Sequence, residues 1–454
     1  MSLSSFVQYA VPLAGALGVG AWIVPGPWHR TSLDPTSPEA IVADAPPELR
    51  PAVLMLADPA QTLAMLDATG LGSLEKGFPV LDRWDYTISG VTADFLMLAG
   101  QTRKDWASDD TVDRFSQMMG AQVVVSQPAR GWMRLEVRVY DTLAASAALP
   151  LAVPDDVDLT AVPTGIFEDL TPWNTPVQGR HVLIAGETGS GKSGYLAALV
   201  NGMGPAIASG RVELRAIDPK GGMELGWLEP LCTRFECTTA ETMIGLLEET
   251  AKEMREAAGR YRAARTRKPV PTPDNPLVVT IIDEAATLSA FTESKWRDRF
   301  EMAHGLLLSQ GRAPLFSVIE TVIDPSKENV PQRQLLPYRI GLRMAEPTQV
   351  AMIHGHGARE RGSACDEIPH TTPGVCYVQE DGKPGFRRAR VFEVTDADCD
   401  WIAQHYRPRP RPINPADFEH RDTDTPATDY SDFDPDDLGD DIPGDGYTGS
   451  GAAA

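Results

Sequence analysis

The chain has 454 residues, room for two or three domains, and its 42% hydrophobic content is enough to bury a sizeable core. A net charge of −22 excludes a protein that binds nucleic acid through bulk positive charge. Five cysteines without a Cys-x-x-Cys pair, and histidines without zinc spacing, leave no metal module and suit a reducing cytoplasm.

Phe6 to Pro25 carries no charge over twenty residues, long enough to cross a bilayer as a helix. His29 and Arg30 follow it and would keep the bulk of the chain on the cytoplasmic side. Residues 1–28 are therefore expected to be a single membrane anchor, followed by a linker over 29–47 rich in Pro, Ser and Asp. Residues 48–143 predict a small α+β domain. Leu49 to Leu66 has partly helical spacing, and Gly77 to Gly100 alternates like a strand pair. Thr111 to Met119 predicts a short helix, and Val123 to Val125 and Trp132 to Tyr140 predict strands. Arg130, Arg134 and Arg138 fall on the polar side of that pattern and are expected to form a solvated face. Residues 144–163, rich in Ala, Pro and Asp, predict a second linker.

The next segment is the most informative. The apolar run His181 to Ala185 leads into Gly186-Glu187-Thr188-Gly189-Ser190-Gly191-Lys192-Ser193, and a run able to wind into a helix follows. Strand, Gly-rich loop, Lys-Ser and helix make the loop that cradles phosphates with inward backbone N–H groups and a helix N-terminus. Lys192 would reach the β/γ-phosphates of ATP, and the Ser193 hydroxyl would bind Mg²⁺. The strand Val212 to Ile217 ends in Asp218-Pro219-Lys220, which places Asp218 and Lys220 at the carboxyl edge of a parallel sheet, where ligands bind. Thr238 to Arg267 predicts a long amphipathic helix, with Thr238 and Glu241 spaced as a capping box and a basic end at Arg260, Arg262, Arg265, Arg267 and Lys268. Leu277 to Ile282 is the continuous apolar run of a buried parallel strand, and it ends in Asp283 and Glu284. Asp283 would hold Mg²⁺, and Glu284 would orient or deprotonate the attacking water. Further strands are predicted at Phe316 to Asp324 and Tyr338 to Arg343, with a closing pair at Thr372 to Val378 and Arg387 to Val394. Twelve acidic residues and Arg421 give residues 414–454 a charge of −11, and this tail lacks the apolar content to fold.

The segment from about Thr164 to Arg407 resembles the FtsK/SpoIIIE family of DNA-pumping ATPases. The resemblance rests on the phosphate loop, on Ile217-Asp-Pro-Lys-Gly-Gly-Met-Glu-Leu225, on the Asp283-Glu284 strand, on Leu308-Ser-Gln-Gly-Arg-Ala313, on Asp324-Pro325 and on Arg339-Ile-Gly-Leu-Arg343. The Asp-Pro-Lys-Gly-Gly-Met-Glu-Leu form, with Gly131-Trp-Met-Arg-Leu135 before it, is most similar to the transfer proteins of actinomycete plasmids and integrative elements. The resemblance implies an α/β, RecA-like P-loop ATPase domain over 164–407 with a mostly parallel sheet. It also implies ATP and Mg²⁺ as cofactors, a ring that is usually a hexamer, and double-stranded DNA as the partner moved through the pore. The remaining 408–454 would form a disordered tail whose protein partner is unknown. Candidates for the trans-acting arginine finger are Arg312, Arg339 and Arg343. Ile323 stands where relatives carry a Gln that senses the γ-phosphate. Two other functions fit the same motifs: a protein-translocating secretion ATPase, and a nucleotide-binding assembly factor with weak hydrolysis.

Overall fold

The computed structural model describes residues 36–383 and 385–408. The stretch 6–25, expected to anchor the chain, and the acidic tail both lie outside the described residues. Among the described residues no helix is long and apolar enough to cross a membrane.

The first part of the chain is built of helices α1 (Pro38–Asp44), α2 (Arg50–Ala57), α3 (Pro59–Ala68), α4 (Arg103–Trp106) and α5 (Asp109–Met119) against four strands. The strands are β1 (Val80–Tyr86), β2 (Gly90–Leu96), β3 (Gln122–Ser126) and β4 (Trp132–Arg138), antiparallel in the order β1-β2-β4-β3. Local chemistry fixes α5: Ser108 caps its N-terminus, Gly120 closes it in the left-handed region, and Thr111, Phe115 and Met119 recur at four-residue spacing on the buried side. Val123, Val125, Met133, Leu135 and Val137 alternate onto the same core.

The opposite face of this sheet is where expectation and structure part. Arg130 is exposed as expected, but Arg134 and Arg138 are both paired with carboxylates and Arg138 is largely shielded from water. Asp94, directly opposite Arg134 in register, accepts from its Nε and Nη2 at 2.7 and 2.8 Å. Arg138 reaches Glu168 of the following domain at 2.9 Å, with side chains only 12% and 16% exposed. Arg138 thus faces a second protein layer, where a charge without a partner would be costly, whereas Arg134 is paired within its own sheet and stays 32% exposed.

The rest of the chain forms one ten-stranded sheet. Its strands are β5 (Val162–Phe167), β6 (Pro172–Thr175), β7 (Val182–Ala185), β8 (Val212–Ile217), β9 (Cys232–Glu236), β10 (Leu277–Ile282), β11 (Phe316–Val322), β12 (Tyr338–Gly341), β13 (Val375–Gln379) and β14 (Arg387–Val391). The order is β6-β5-β14-β13-β12-β7-β11-β10-β8-β9. β12, β7, β11, β10, β8 and β9 are parallel, and the β13, β14, β5 and β6 side is antiparallel. Helices α6 (Lys192–Ala208) and α11 (Asp396–His405) cover one face, and α7 (Ala240–Ala263), α8 (Ala286–Ser289), α9 (Ser294–Gln310) and α10 (Pro347–His354) lie against the other. Val182, Ile184, Val279 and Ile281 enter the first layer, and Leu183, Ala185, Val278 and Ile282 enter the second. Two covered faces explain why these strands read as unbroken apolar runs. The α7 cap sits one residue later than its spacing suggested: Thr239 caps, and the Thr242 hydroxyl rather than a Glu reciprocates. Residues 144–163 are woven into this domain, since Leu149, Val157 and Leu159 are buried in its core and Asn201 Nδ2 donates to the Pro150 carbonyl at 2.9 Å.

Candidate nucleotide site

The parallel order places β11 between β7 and β10. The loop after β7 and the carboxylates after β10 therefore flank one strand end, at the carboxyl edge of the sheet. The loop turns through Gly189 at φ 74° and Gly191 at φ 113°, left-handed values that only glycine takes without strain. Gly189 has nothing within 4 Å of where a Cβ would stand, whereas a Cβ on Gly191 would meet the Gly374 backbone N at 2.7 Å. Gly374 also donates its N–H to the Ser190 carbonyl at 2.8 Å, so the turn before β13 braces the loop from behind.

Lys192 opens α6 and is buried at 8% exposure. Its ammonium donates to the carbonyls of Gly186 at 2.6 Å and Glu187 at 3.1 Å. Burial lowers its pKa, an effect that the carboxylates of Glu284 and Asp283 partly offset. Ser193 donates its hydroxyl to Glu224 at 3.0 Å.

Asp283 and Glu284 are 3% and 8% exposed. Both are arranged by Thr321 of β11, whose hydroxyl donates to Asp283 Oδ1 at 2.8 Å and accepts from the Glu284 N–H at 3.2 Å. Glu284 is held at φ 51°, uncommon for a side chain with a Cβ. The Thr321 backbone takes part as well, since its carbonyl accepts the Ala285 N–H at 3.1 Å. Glu284 Oε1 accepts from the Ile323 N–H at 3.3 Å, and Oε2 is buried without a protein partner. Burial raises the Glu284 pKa, against the opposing pull of the Ile323 N–H and the Lys192 charge.

Asp218 and Lys220 are brought into the same site. Asp218 is fully buried and accepts the backbone N–H groups of Lys220, Glu224 and Leu225 at 2.9, 3.0 and 2.9 Å, which fixes the turn. That turn delivers Lys220 Nζ to Asp283 at 2.9 Å and Glu224 to Ser193. The hydroxyl of Ser193 and the carboxylate of Asp283 are hard oxygen donors, the kind that suits Mg²⁺ alongside substrate phosphates. Among the described residues no group of three or more His, Cys, Asp and Glu is arranged to hold a metal with protein ligands alone.

The three arginines proposed from sequence lie in different places. Arg312 is at the amino edge of the sheet, donating to the Gly179 carbonyl at 2.9 Å and lying 3.7 Å from Asp381. Arg339 donates to the carbonyls of Leu336, Arg333 and Ile353 at 3.0, 2.9 and 2.9 Å. Arg343 alone reaches the phosphate loop, and it does so in its own chain, pairing with Glu187 at 3.1 Å and donating to the Thr188 carbonyl at 3.3 Å. Sequence reasoning missed Thr321, Glu224 and Gly374. Thr321 had one signal, a hydroxyl near the end of an apolar strand next to Ile323.

The FtsK/SpoIIIE family model matches residues 146–353. The chain is 29% identical to the transfer protein TraSA of Streptomyces ambofaciens over 336 residues, covering 68% of this chain and 77% of that protein. It is 26% identical to the protein Tra of Streptomyces lividans over 298 residues, 59% of this chain but under half, 46%, of that protein's length. Among solved structures it is similar to the pCW3 conjugation coupling protein TcpA in its monomer form with ATPγS, with a TM-score of 0.49 and 17% identity over 75% of this chain and 97% of that one. The loop after β7 and the acidic pair after β10 both fall within residues 146–353, the segment that is similar to the ATPases of the FtsK/SpoIIIE family.

Proposed function

We propose that the protein is an ATP-driven translocase of double-stranded DNA that acts in conjugative transfer. The observation that carries this reading is the buried pair Asp283 and Glu284, held by Thr321 opposite the phosphate loop, in a chain similar over most of its length to a Streptomyces transfer protein. In this reading Lys192 and the loop Gly186 to Ser193 bind the phosphates of ATP. Ser193 and Asp283 hold Mg²⁺, which offsets phosphate charge. Glu284, with one carboxylate oxygen fixed by Ile323 and the other free, orients and deprotonates the attacking water. Asp218 and Lys220 hold the neighbouring edge of the site, and Arg312, Arg339 or Arg343 would act across a ring interface, the ring being a hexamer. Residues 6–25 would tether it to the membrane, and the acidic tail would meet a protein partner. A ring needs basic charge only where it touches DNA, which reconciles DNA movement with a net charge of −22.

The test is ATP turnover by the full chain with and without duplex DNA. Duplex should stimulate turnover, Lys192→Ala should abolish ATP binding, and Glu284→Gln should bind ATP without turning it over. Stimulation by a secreted polypeptide and not by DNA would move the reading to the protein-translocating ATPases. ATP binding without turnover under any condition would leave an assembly factor.

A further inference from the structure

The end of α7 carries charge that neither the fold nor the nucleotide site uses. Residues 258–268 hold five cations, Arg260, Arg262, Arg265, Arg267 and Lys268, and no acid, in a chain with 63 acidic residues. The arginines around the two cores are almost all tied to carboxylates or carbonyls, as Arg134, Arg138, Arg215, Arg339 and Arg388 are. None of these five makes an ion pair among the described residues.

Three local features set this end apart from an ordinary solvated helix. First, the buried stripe of α7 stops at Ala257, and residues 262–268 are all exposed, so the segment extends beyond the packed layer. Second, cations that only complement a helix dipole belong in the last turn. Arg265, Arg267 and Lys268 lie past the last helical residue, Ala263. Third, the chain leaves the helix with Arg265 at φ 54°, in the left-handed region where Gly or Asn is the usual choice. Gly, meanwhile, stands inside the helix at Gly259, with nothing within 4 Å of its Cβ position. A helical glycine that no neighbour requires leaves room for something outside the protein to approach the backbone. Arg262 lies on the same side of α7 as Gly259, three residues on, and Lys252 and Arg255 lie on that side further back, where Glu256 interrupts the positive charge. The proline-rich run Pro269 to Pro276 then stiffens the exit, with the Pro269 carbonyl 3.5 Å from Gln178 Nε2.

We infer that the α7 end, Arg260 to Lys268, is a contact surface for the phosphate backbone of duplex DNA. The inference rests on the DNA-translocase reading and locates part of its substrate contact at the amino edge of the sheet, away from the phosphate loop. Charged side chains spaced along an exposed helix and its rigid extension, with no base-reading geometry, recognise phosphates irrespective of sequence.

The experiment is fluorescence anisotropy of a labelled duplex of arbitrary sequence with the full chain, over a salt titration. The test variant combines Arg262→Ser, Arg265→Asn and Arg267→Ser, Asn being chosen because it tolerates left-handed backbone. A control places Lys at the same three positions. The wild type should bind with a steep salt dependence. The neutral variant should bind about tenfold or more weakly, and its slope of log K against log salt should fall by about 0.9 for each phosphate that is no longer neutralised. The Lys control should keep both, and melting temperature and DNA-free ATP turnover should be unchanged in all three proteins. Unchanged affinity and slope in the neutral variant overturn the inference. So does a weakening that Lys does not restore, and so does the same cation dependence on anionic lipid vesicles in place of duplex. Absence of duplex binding by the wild type would instead defeat the translocase reading itself.

Discussion

Arg343 and Glu187 form an ion pair of 3.1 Å between the segment just after β12 and the second residue of the phosphate loop, and the Glu187 N–H donates in turn to the Arg343 carbonyl at 2.9 Å. A carboxylate in a phosphate loop would repel phosphates. Paired this way, its charge is offset by a guanidinium only 9% exposed. Arg343→Ala should therefore raise the apparent KM for ATP about tenfold, equivalent to about 1.4 kcal/mol, by leaving Glu187 unpaired and the loop unbraced. Glu187→Gln keeps the shape and frees the arginine's charge, so its KM should fall. Steady-state kinetics on both variants decides it, and equal KM values across the three proteins would show that water already screens the pair.

Glu284 is the residue whose protonation should govern the acid side of the pH–rate profile. Burial holds its pKa above the usual carboxylate value, so it stays protonated, and useless as a base, to a higher pH than an exposed Glu. Turnover should fall on acidification from an inflection above the ordinary range. Glu284→Gln should cost about 10²- to 10⁴-fold in kcat. The sign for stability runs the other way. A carboxylate with a raised folded-state pKa contributes stability below its unfolded pKa and loses it as pH rises through the folded one. Glu284→Gln should thus melt higher than wild type at neutral pH, with the gain vanishing in acid. A melting-temperature gap independent of pH would contradict this.

Ile323 donates its backbone N–H to Glu284 at 3.3 Å, and the residue is 38% exposed. A side-chain amide there would add a second polar group beside the acidic pair without removing the existing bond. Ile323→Gln should leave stability within about 0.5 kcal/mol, as for most surface changes, and increase the stimulation of ATP turnover by duplex DNA. If stimulation is the same in both proteins, another residue links nucleotide state to movement.

How much of this was legible in the sequence follows from how local each signal is. The phosphate loop and Asp283-Glu284 each sit at the end of an apolar run, where strand geometry and ligand chemistry leave one reading. Asp218 and Lys220 were placed at the right edge for the same reason. Thr321, Glu224 and Gly374 were not visible, because their roles come from neighbours set by sheet order, with Thr321 38 residues from Asp283 in sequence. Strands β5, β6 and β9 were missed, being short, interrupted by proline or only half buried. The polar side of β4 alternates as a solvated strand would. Only strand register shows that Arg134 meets Asp94, and only the packing of a second domain shows that Arg138 is paired with Glu168 and shielded.

That packing gives the last prediction. Arg138 is held between Glu136 at 3.2 Å and Glu168 at 2.9 Å, and Glu168 also meets Arg388 at 3.1 Å, so one small network joins β4 to the segment after β5 and to β14. Arg138→Ala removes the cation and leaves Glu168 with Arg388 alone. Breaking a fully buried pair costs about 3 to 5 kcal/mol. Here both groups keep some contact with water and Glu168 keeps one partner, so a destabilisation of about 2 kcal/mol is expected. It should fall on the junction more than on either core, because the clusters around Phe115 and Leu183 do not include this network. Urea unfolding followed by Trp fluorescence and by far-UV circular dichroism should therefore change from coincident to separated transitions in the variant, with Arg138→Lys intermediate. A uniform shift of one cooperative transition would mean that the two domains are joined by their apolar contacts instead, and that the arginine serves only its own strand.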